Sequence, residues 1–321
     1  MSKHFRLLFA VMVVLGLVLS ACAPAATEAP AEKTKVAVLF PGVVTDDSWN
    51  QRGYEGLTKA ETDCGVEGAY TEDVFQDEQL EVFRTYAAEG YDIIIGHGGE
   101  YHDAAVTVSK EYPDLTFIVS NGVEGSGNLG AFKISYSHMG YIAGAIAAEM
   151  TKSGKVALVL GEPIPIATQG EESFKAAVAA SGKDVVVQTV VTGSWADVAK
   201  ARESALALIA DGVDVLWHVL DAADAGVFSA AEDQGVMAIG LYGNQQNLGP
   251  KSWIASAAGS PVTLIYEAAC GRVKPGTATY MDVNTPNGVM PVYSDQIPQE
   301  VKDKVDGIVE KMRSGELQVA P

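Results

Sequence analysis

The chain has 321 residues, 48% of them hydrophobic and 20% charged, so it is long enough for two α/β domains with separate cores. This composition excludes a disordered polymer and a coiled coil. The 22 basic and 41 acidic residues give a net charge of −19, which disfavours binding to nucleic acids and to anionic membrane surfaces. Three cysteines are too few for a disulfide framework or a four-thiolate zinc site.

The N-terminus has the pattern of a bacterial export signal. Basic residues precede an apolar run at 7–19, which is too short to span a bilayer. The run ends in Leu19-Ser-Ala-Cys22, typical of a lipoprotein cleavage site. We therefore expect 1–21 to be a signal peptide, and 22–34 to be a lipidated Cys22 followed by a flexible tether. An ordinary signal peptide with an accidental Cys22 is the alternative.

The chain also contains an internal repeat. The apolar run 35–40 is echoed by 155–160, and 89–96 is echoed by 211–218. Helical patterns separate the strand-like runs, which predicts a parallel, doubly wound sheet in each unit. The predicted helices cover 51–64, 78–89, 101–112, 171–181, 198–211 and 224–234. A further segment, 139–150, is apolar on nearly all sides and is predicted to lie buried against the first sheet.

Two such units joined by crossings place the carboxyl ends of both sheets around one cleft, where ligands bind in folds of this kind. The loops predicted to face the cleft are 41–50, 71–75, 96–103, 120–124, 161–169, 192–197, 219–224 and 242–247.

These loops contain no signature of catalysis. The phosphate-binding and nucleophile-elbow motifs are absent, and the histidines do not have metal-ligand spacing. We therefore expect no catalytic residue, no metal and no cofactor, and we interpret the chain as a binding protein rather than an enzyme. Cys64 and Cys270 are expected to be free thiols, although an oxidising compartment permits pairing if their Cα atoms come within about 7 Å.

The loops do contain aromatic residues beside hydrogen-bonding side chains. Trp49 and Trp195 offer stacking surfaces, and Asp221 follows a strand at the position of a cleft ligand. A flat ligand of low charge fits this composition. Packing at the lobe edge is the alternative for the tryptophans, and helix capping is the alternative for Asp46 and Asp224. The remaining candidates for contact with the ligand are Asp47, Tyr101, His138, Tyr242 and Asn244, and Arg52 is the nearest basic residue.

The ordered segments 35–40, 46–56, 141–155, 194–200, 218–221, 235–240 and 297–317 resemble the basic membrane protein family of substrate-binding lipoproteins. The resemblance implies a type I periplasmic-binding-protein fold, the permease subunits of an ABC-type importer as partners, and purine nucleosides or bases as ligands. It also implies that Asp47, Trp49 and Asn50 contact the base, that Gly98 approaches the ligand through its backbone, and that Trp195 and Asp221 supply second-lobe contacts. In the nucleoside branch an aspartate that holds the ribose hydroxyls stands where this chain has 241–244, so a free base or another small heterocycle is at least as consistent with the resemblance as a nucleoside.

The same resemblance implies a chain that crosses between the lobes three times. The first lobe is expected at 35–152 with a returning segment at about 257–285, and the second at 153–256, completed by about 286–321. We expect a monomer that binds a small molecule, with the lipid on Cys22 holding it to the outer face of the cytoplasmic membrane. The alternatives are a ligand-sensing module for a signalling partner and, less favoured, a nucleosidase or hydrolase acting in the same cleft.

Overall fold

The structure is a computed structural model that describes residues 33–46 and 48–320. The predicted signal peptide, Cys22 and most of the predicted tether lie outside the described residues, as does Asp47. Within the described ranges, no helix combines the length and the apolar character needed to cross a membrane.

The described residues form two six-stranded sheets, and helices separate most of the successive strands. The strands are β1 Lys35–Leu39, β2 Glu67–Thr71, β3 Ile93–His97, β4 Thr116–Ser120, β5 Leu129–Ile134, β6 Lys155–Leu160, β7 Val186–Val191, β8 Val215–Val219, β9 Met237–Gly240, β10 Trp253–Ala258, β11 Ala278–Met281 and β12 Met290–Tyr293. The α-helices are α1 Trp49–Cys64, α2 Gln79–Ala88, α3 His102–Glu111, α4 Tyr136–Met150, α5 Pro165–Ala180, α6 Val198–Ala210, α7 Asp224–Gln234, α8 Pro261–Ala269 and α9 Gln299–Ser314.

Both sheets follow the same doubly wound plan, which confirms the predicted fold class. The first sheet has the order β11-β5-β4-β3-β1-β2, and all of its pairings are parallel. The second has the order β12-β10-β9-β8-β6-β7, in which only β12 is antiparallel to its neighbour. Strand order reverses between β1 and β3 and between β6 and β8, and a crevice for ligands opens at such switch points.

The predicted position of the helix in 139–150 is wrong. Helix α4 packs against α5 and against β8 and β10, so it covers the second sheet instead of the first. The chain therefore changes sheet just after β5. Gly140 and Gly144 allow close contact with α5, because a Cβ on either would collide with the backbone of Gly170 or Phe174. These glycines serve packing between two helices, where the sequence indicated packing of a helix on a sheet.

The chain changes sheet twice more near its C-terminus. After β10 it enters α8, which packs on α1, and then β11, which pairs with β5 of the first sheet. After β11 it returns to β12 beside β10. Gly56 of α1 permits the contact with α8, since a Cβ there would lie 2.5 Å from the carbonyl oxygen of Val262.

The expectation of two free thiols is also wrong. Cys64, at the end of α1, and Cys270, directly after α8, form a disulfide with a Cα–Cα distance of 5.8 Å. The contact between α1 and α8 brings together two cysteines that are 206 residues apart in the sequence.

Candidate ligand-binding site

The first sheet contributes an aromatic pair at the carboxyl end of β3. The ring of Trp49, the first residue of α1, stacks on the imidazole of His97 with a centroid distance of 4.2 Å. The Trp49 indole N–H donates to the His97 carbonyl oxygen at 3.2 Å, and Nε2 of His97 donates to the Trp49 carbonyl oxygen at 2.9 Å. Nδ1 must then be the acceptor, and it receives the Ser120 hydroxyl at 3.2 Å. The stacking surface is therefore fixed before a ligand arrives.

The loop before α1 is held by Asp46. Its carboxylate accepts the backbone N–H groups of Ser48, Asn50 and Gln51 at 2.9, 3.1 and 2.9 Å, so Asp46 caps the helix, as the alternative interpretation had it. The Asn50 amide nitrogen also donates to Asp46 at 2.8 Å. Within the described part of the chain, the buried Oδ1 of Asn50 has no hydrogen-bond partner. An acceptor in this state is available to a ligand that carries an N–H group.

The second sheet contributes a carboxylate at the carboxyl end of β8. The Tyr242 hydroxyl donates to Oδ1 of Asp221 at 2.9 Å. Burial raises the pKa of the Asp221 carboxyl to about 6, and the negative charges of Asp46 and Glu100 add to this effect, whereas the bond from Tyr242 opposes it. Asp221 is bonded to Tyr242, whose ring lies 6.2 Å from that of the first-lobe Trp49, so the carboxylate lies where the two lobes face each other.

Trp195 lies beside Asp221. Its carbonyl oxygen accepts the backbone N–H groups of Asp221 and Ala223 at 3.1 and 3.0 Å. Its half-buried ring covers Gly161, where a Cβ would lie within 2.8 Å of ring carbons. The tryptophan and the carboxylate are thus parts of one loop arrangement, as predicted from their places after β7 and β8.

A second carboxylate, Asp224, opens α7 one turn further on. It is 6% exposed, and the amide nitrogen of Gln245 donates to it at 2.5 Å. The pKa of Asp224 is raised to about 7, chiefly by burial and also by the neighbouring Asp221, although the hydrogen bond from Gln245 and the charge of Arg52 both lower it. Arg52 belongs to α1, so the charge of a first-lobe residue acts on a second-lobe carboxyl.

Aromatic side chains connect the two lobes directly. The ring of Tyr242 lies 6.2 Å from that of Trp49. Tyr136, at the first turn of α4 directly after a crossing, is buried next to Tyr242 and Asn121. Burial raises the pKa of the Tyr136 hydroxyl, and the nearby Asp221 raises it further, so this hydroxyl stays protonated and can donate. The rings of Trp49, Tyr136 and Tyr242 thus form one aromatic group where the two lobes meet.

The structure gathers Trp49, Asn50, Gly98, Trp195, Asp221 and Tyr242 near the facing edges but does not bring three other predicted residues there. Tyr101 is fully buried in the first lobe, and its hydroxyl donates to the Val74 carbonyl oxygen at 3.0 Å, so we correct its assignment to a core residue. His138 bonds through Nε2 to the Val319 carbonyl oxygen at 2.9 Å, which fixes the C-terminal tail. Asn244 is exposed and accepts the Gln246 N–H at 2.9 Å in a turn.

Sequence reasoning missed several residues that shape the site. His97 was considered only as a metal ligand, although its place at the end of a central strand was a usable signal. Tyr136 and Gln245 had no signal of their own, because each acts through a partner that only the fold supplies. Arg52 was noted only as the nearest basic residue beyond the first loop. In the described part of the chain, no group of three or more histidine, cysteine, aspartate or glutamate residues is arranged to hold a metal.

Comparison with known proteins identifies the family of the chain. A family model described as "ABC transporter substrate-binding protein PnrA-like" matches residues 33–320. The chain is 27% identical over 308 residues to the transcriptional activator protein med of Bacillus subtilis, covering 94% of this chain and 95% of that protein. It is also 27% identical over 228 residues to a purine-binding protein of Brucella abortus, covering 70% of this chain and 65% of the relative.

Two further matches complete the comparison. The ABC transporter nucleoside-binding protein BmpA of Lactococcus lactis is 24% identical over 286 residues, with 82% of each chain covered. A crystal structure of a transcriptional activator of the comK gene from Bacillus halodurans superposes with a TM-score of 0.78 at 26% identity, covering 89% of this chain and 100% of that one.

Proposed function

Since the chain belongs to the PnrA-like family of ABC transporter substrate-binding proteins, we propose that it binds a purine base or nucleoside between its two lobes and delivers it to a membrane permease. The observation that carries this proposal is the placement of the Trp49 ring opposite the Tyr242–Asp221 pair. An aromatic face stacks on a purine, and a carboxylate accepts from its ring or exocyclic N–H groups. The names of two relatives, a purine-binding and a nucleoside-binding protein, support the same ligand class.

Substrate-binding proteins of ABC importers act outside the cytoplasm, and we propose that a lipid on Cys22 holds this one at the membrane. The Cys64–Cys270 disulfide supports an oxidising compartment. In the proposed function the protein is not an enzyme, because its lobes close over the ligand and release it chemically unchanged. Incubation with inosine or adenosine tests this point, because release of free base would reveal a nucleosidase.

The charges at the site favour a ligand without phosphate. The pKa values of Asp221 and Asp224 respond to the negative charges of Asp46, Glu100 and Asp221, and Arg52 is the one cation that affects them among the described residues. A phosphate brought among these carboxylates would be repelled, and burying unbalanced charge costs several kcal/mol. A neutral base has no such cost and gains roughly 1–3 kcal/mol for each aromatic stacking partner.

Calorimetric titration is the decisive experiment. Bases and nucleosides of adenine, guanine and hypoxanthine are compared with the corresponding monophosphates. We expect binding of the neutral ligands, loss of that binding in Asp221→Ala and Trp195→Ala, and much weaker binding of the monophosphates. Equal affinity for a nucleoside and its monophosphate would overturn the neutral-ligand argument, and the absence of purine binding would overturn the proposed ligand class.

Ligand sensing is a second candidate function, because a relative and a structural neighbour are named transcriptional activators. The cleft would be the same, but the partner would differ. Uptake of labelled purine by cells with and without the intact gene separates the two: loss of uptake supports transport, whereas unchanged uptake with altered transcription supports sensing.

A further inference from the structure

Arg52 occupies a distinctive position at the first turns of α1. It lies three residues after Trp49, so both side chains project from the same face of the helix. Trp49 lies beside Tyr242 of the second lobe, with 6.2 Å between the ring centroids, so the start of α1 that carries Arg52 borders the second lobe. The charge of Arg52 also lowers the pKa of the second-lobe carboxyl of Asp224.

Among the described residues, the guanidinium of Arg52 has neither an ion-pair partner within 4.0 Å nor a hydrogen-bond partner, and its Nε is buried. A buried guanidinium donor without an acceptor is costly, and it is satisfied when a ligand supplies an oxygen or ring nitrogen.

The carboxylate of Asp221 in the second lobe accepts hydrogen bonds, whereas the guanidinium of Arg52 donates them. Asp221 receives Tyr242 on Oδ1, and no described residue donates to its Oδ2. The site thus offers donors from one lobe and an acceptor from the other, and the Trp49 ring beside Tyr242 supplies a stacking surface.

We propose that Arg52 and Asp221 together select 6-oxopurines, meaning guanine, hypoxanthine and their nucleosides, over 6-aminopurines such as adenine. This inference rests on the proposed function and names the substrate class within it. A 6-oxopurine presents acceptors at O6 and N7, the pair that a guanidinium recognises in a bidentate manner. Its N1–H donates to a carboxylate, and guanine adds a second donor at the 2-amino group. Adenine reverses both features: its 6-amino group meets the guanidinium N–H groups, and its N1 lone pair meets the carboxylate.

The test is calorimetric titration of the folded, disulfide-bonded protein with guanosine, inosine, adenosine, hypoxanthine and adenine. One bidentate contact discriminates roughly ten- to a hundredfold against the wrong base, so we expect guanosine and inosine to bind tighter than adenosine by about that factor. Arg52→Met keeps the length of the side chain but removes its donors. It should remove the preference by weakening inosine binding while leaving adenosine binding unchanged or improved.

Arg84→Met is the matched control, because Arg84 pairs with Glu111 on the exposed surface of the first lobe. It should leave every affinity unchanged, and thermal melting confirms that both variants fold. Tighter binding of adenosine, equal binding of all purines, or an equal loss of all purines in Arg52→Met would each overturn the selectivity while leaving the proposed function in place. Failure of every purine to bind would instead overturn the proposed function, and the selectivity would fall with it.

Discussion

The two lobes share one strand plan but present different chemistry at their facing edges. At the end of β3, both ring nitrogens of His97 have partners, and the residue is held in its neutral form against Trp49. At the end of β8, carboxylates are buried beside neutral donors, Asp221 beside Tyr242 and Asp224 beside Gln245. The internal repeat therefore determines where the strand ends lie, whereas the residues after each strand give the cleft two unlike walls. A ligand between unlike walls has one preferred orientation.

The largest effect should come from removing the first-lobe anchor. His97→Ala leaves a cavity and deprives both the Trp49 carbonyl and Ser120 of their partners. We expect a loss of about 3 kcal/mol in the free energy of unfolding, together with weaker purine binding, because the stacking ring is no longer held. Chemical denaturation and calorimetry measure the two effects.

His218 in β8 provides the contrasting case. It is fully buried like His97, but neither of its ring nitrogens has a hydrogen-bond partner among the described residues. Replacing it with an apolar side chain of similar size removes unsatisfied polar atoms, so His218→Leu should change stability by less than about 1 kcal/mol. If His218→Leu lowered the free energy of unfolding as much as His97→Ala does, the predicted difference between the two buried histidines would be wrong.

The second-lobe carboxylates predict a pH-dependent effect of intermediate size. The folded-state pKa values of Asp221 and Asp224 are raised from 3.8 to about 6 and about 7. A raised carboxyl pKa destabilises the folded state increasingly as pH rises from the unfolded value through the folded value. Asp221→Asn and Asp224→Asn should therefore each stabilise the ligand-free protein by about 1–3 kcal/mol at pH 8 and change it little at pH 4.

Melting temperatures of each variant and the parent, measured side by side across this pH range, test that prediction. The comparison with the parent cancels the opposing contributions of His97 and His218, whose pKa values burial lowers to about 4 and about 3. A difference between variant and parent that is the same at every pH would contradict the assigned direction of the carboxyl pKa shifts.

Smaller effects than those of the carboxylates are expected from single hydrogen bonds at the facing edge of each lobe. Tyr242→Phe removes the donor to Asp221, and Trp49→Phe removes the donor to the His97 carbonyl. Each should cost about 1 kcal/mol at neutral pH. Only the cost of Tyr242→Phe should shrink at pH 4, where Asp221 is protonated and needs the donor less. Denaturation curves of both variants at neutral pH and at pH 4 provide the measurement. If the stability cost of the two substitutions changed equally with pH, the predicted difference between the two hydrogen bonds would be wrong.

The sequence predicted the parts of the fold that local patterns determine. Helix α7 has the predicted bounds, and β6 coincides with the predicted run, because each pattern ends at a clear turn signal. Helix α5 begins at Pro165, within a predicted loop, since proline suits the first turn of a helix. The side of the fold that α4 covers was not predictable, because a helix that is apolar all round has no stripe to indicate its partner.

Residues of the site were predictable where they follow a strand, as Trp195 and Asp221 do. Tyr101 also follows a strand, but its ring turns back into the core over Gly96, where a Cβ would lie 2.8 Å from the ring. That space depends on a glycine five residues away and on the packing of Phe83. Arg52 and Gln245 depend on contacts between elements far apart in the chain, which a local pattern does not contain.

The Cys64–Cys270 disulfide has a consequence for the order of assembly. The bond closes a covalent ring that contains β2 to β10 and the first two crossings between the sheets. Cys64 precedes its partner by 206 residues, so the two cannot pair until the second lobe has been synthesised and α8 has docked on α1. The disulfide therefore forms late in folding, and its presence marks a chain in which α8 has already packed on α1. A protease cut inside the ring leaves both fragments joined, and they separate only after reduction.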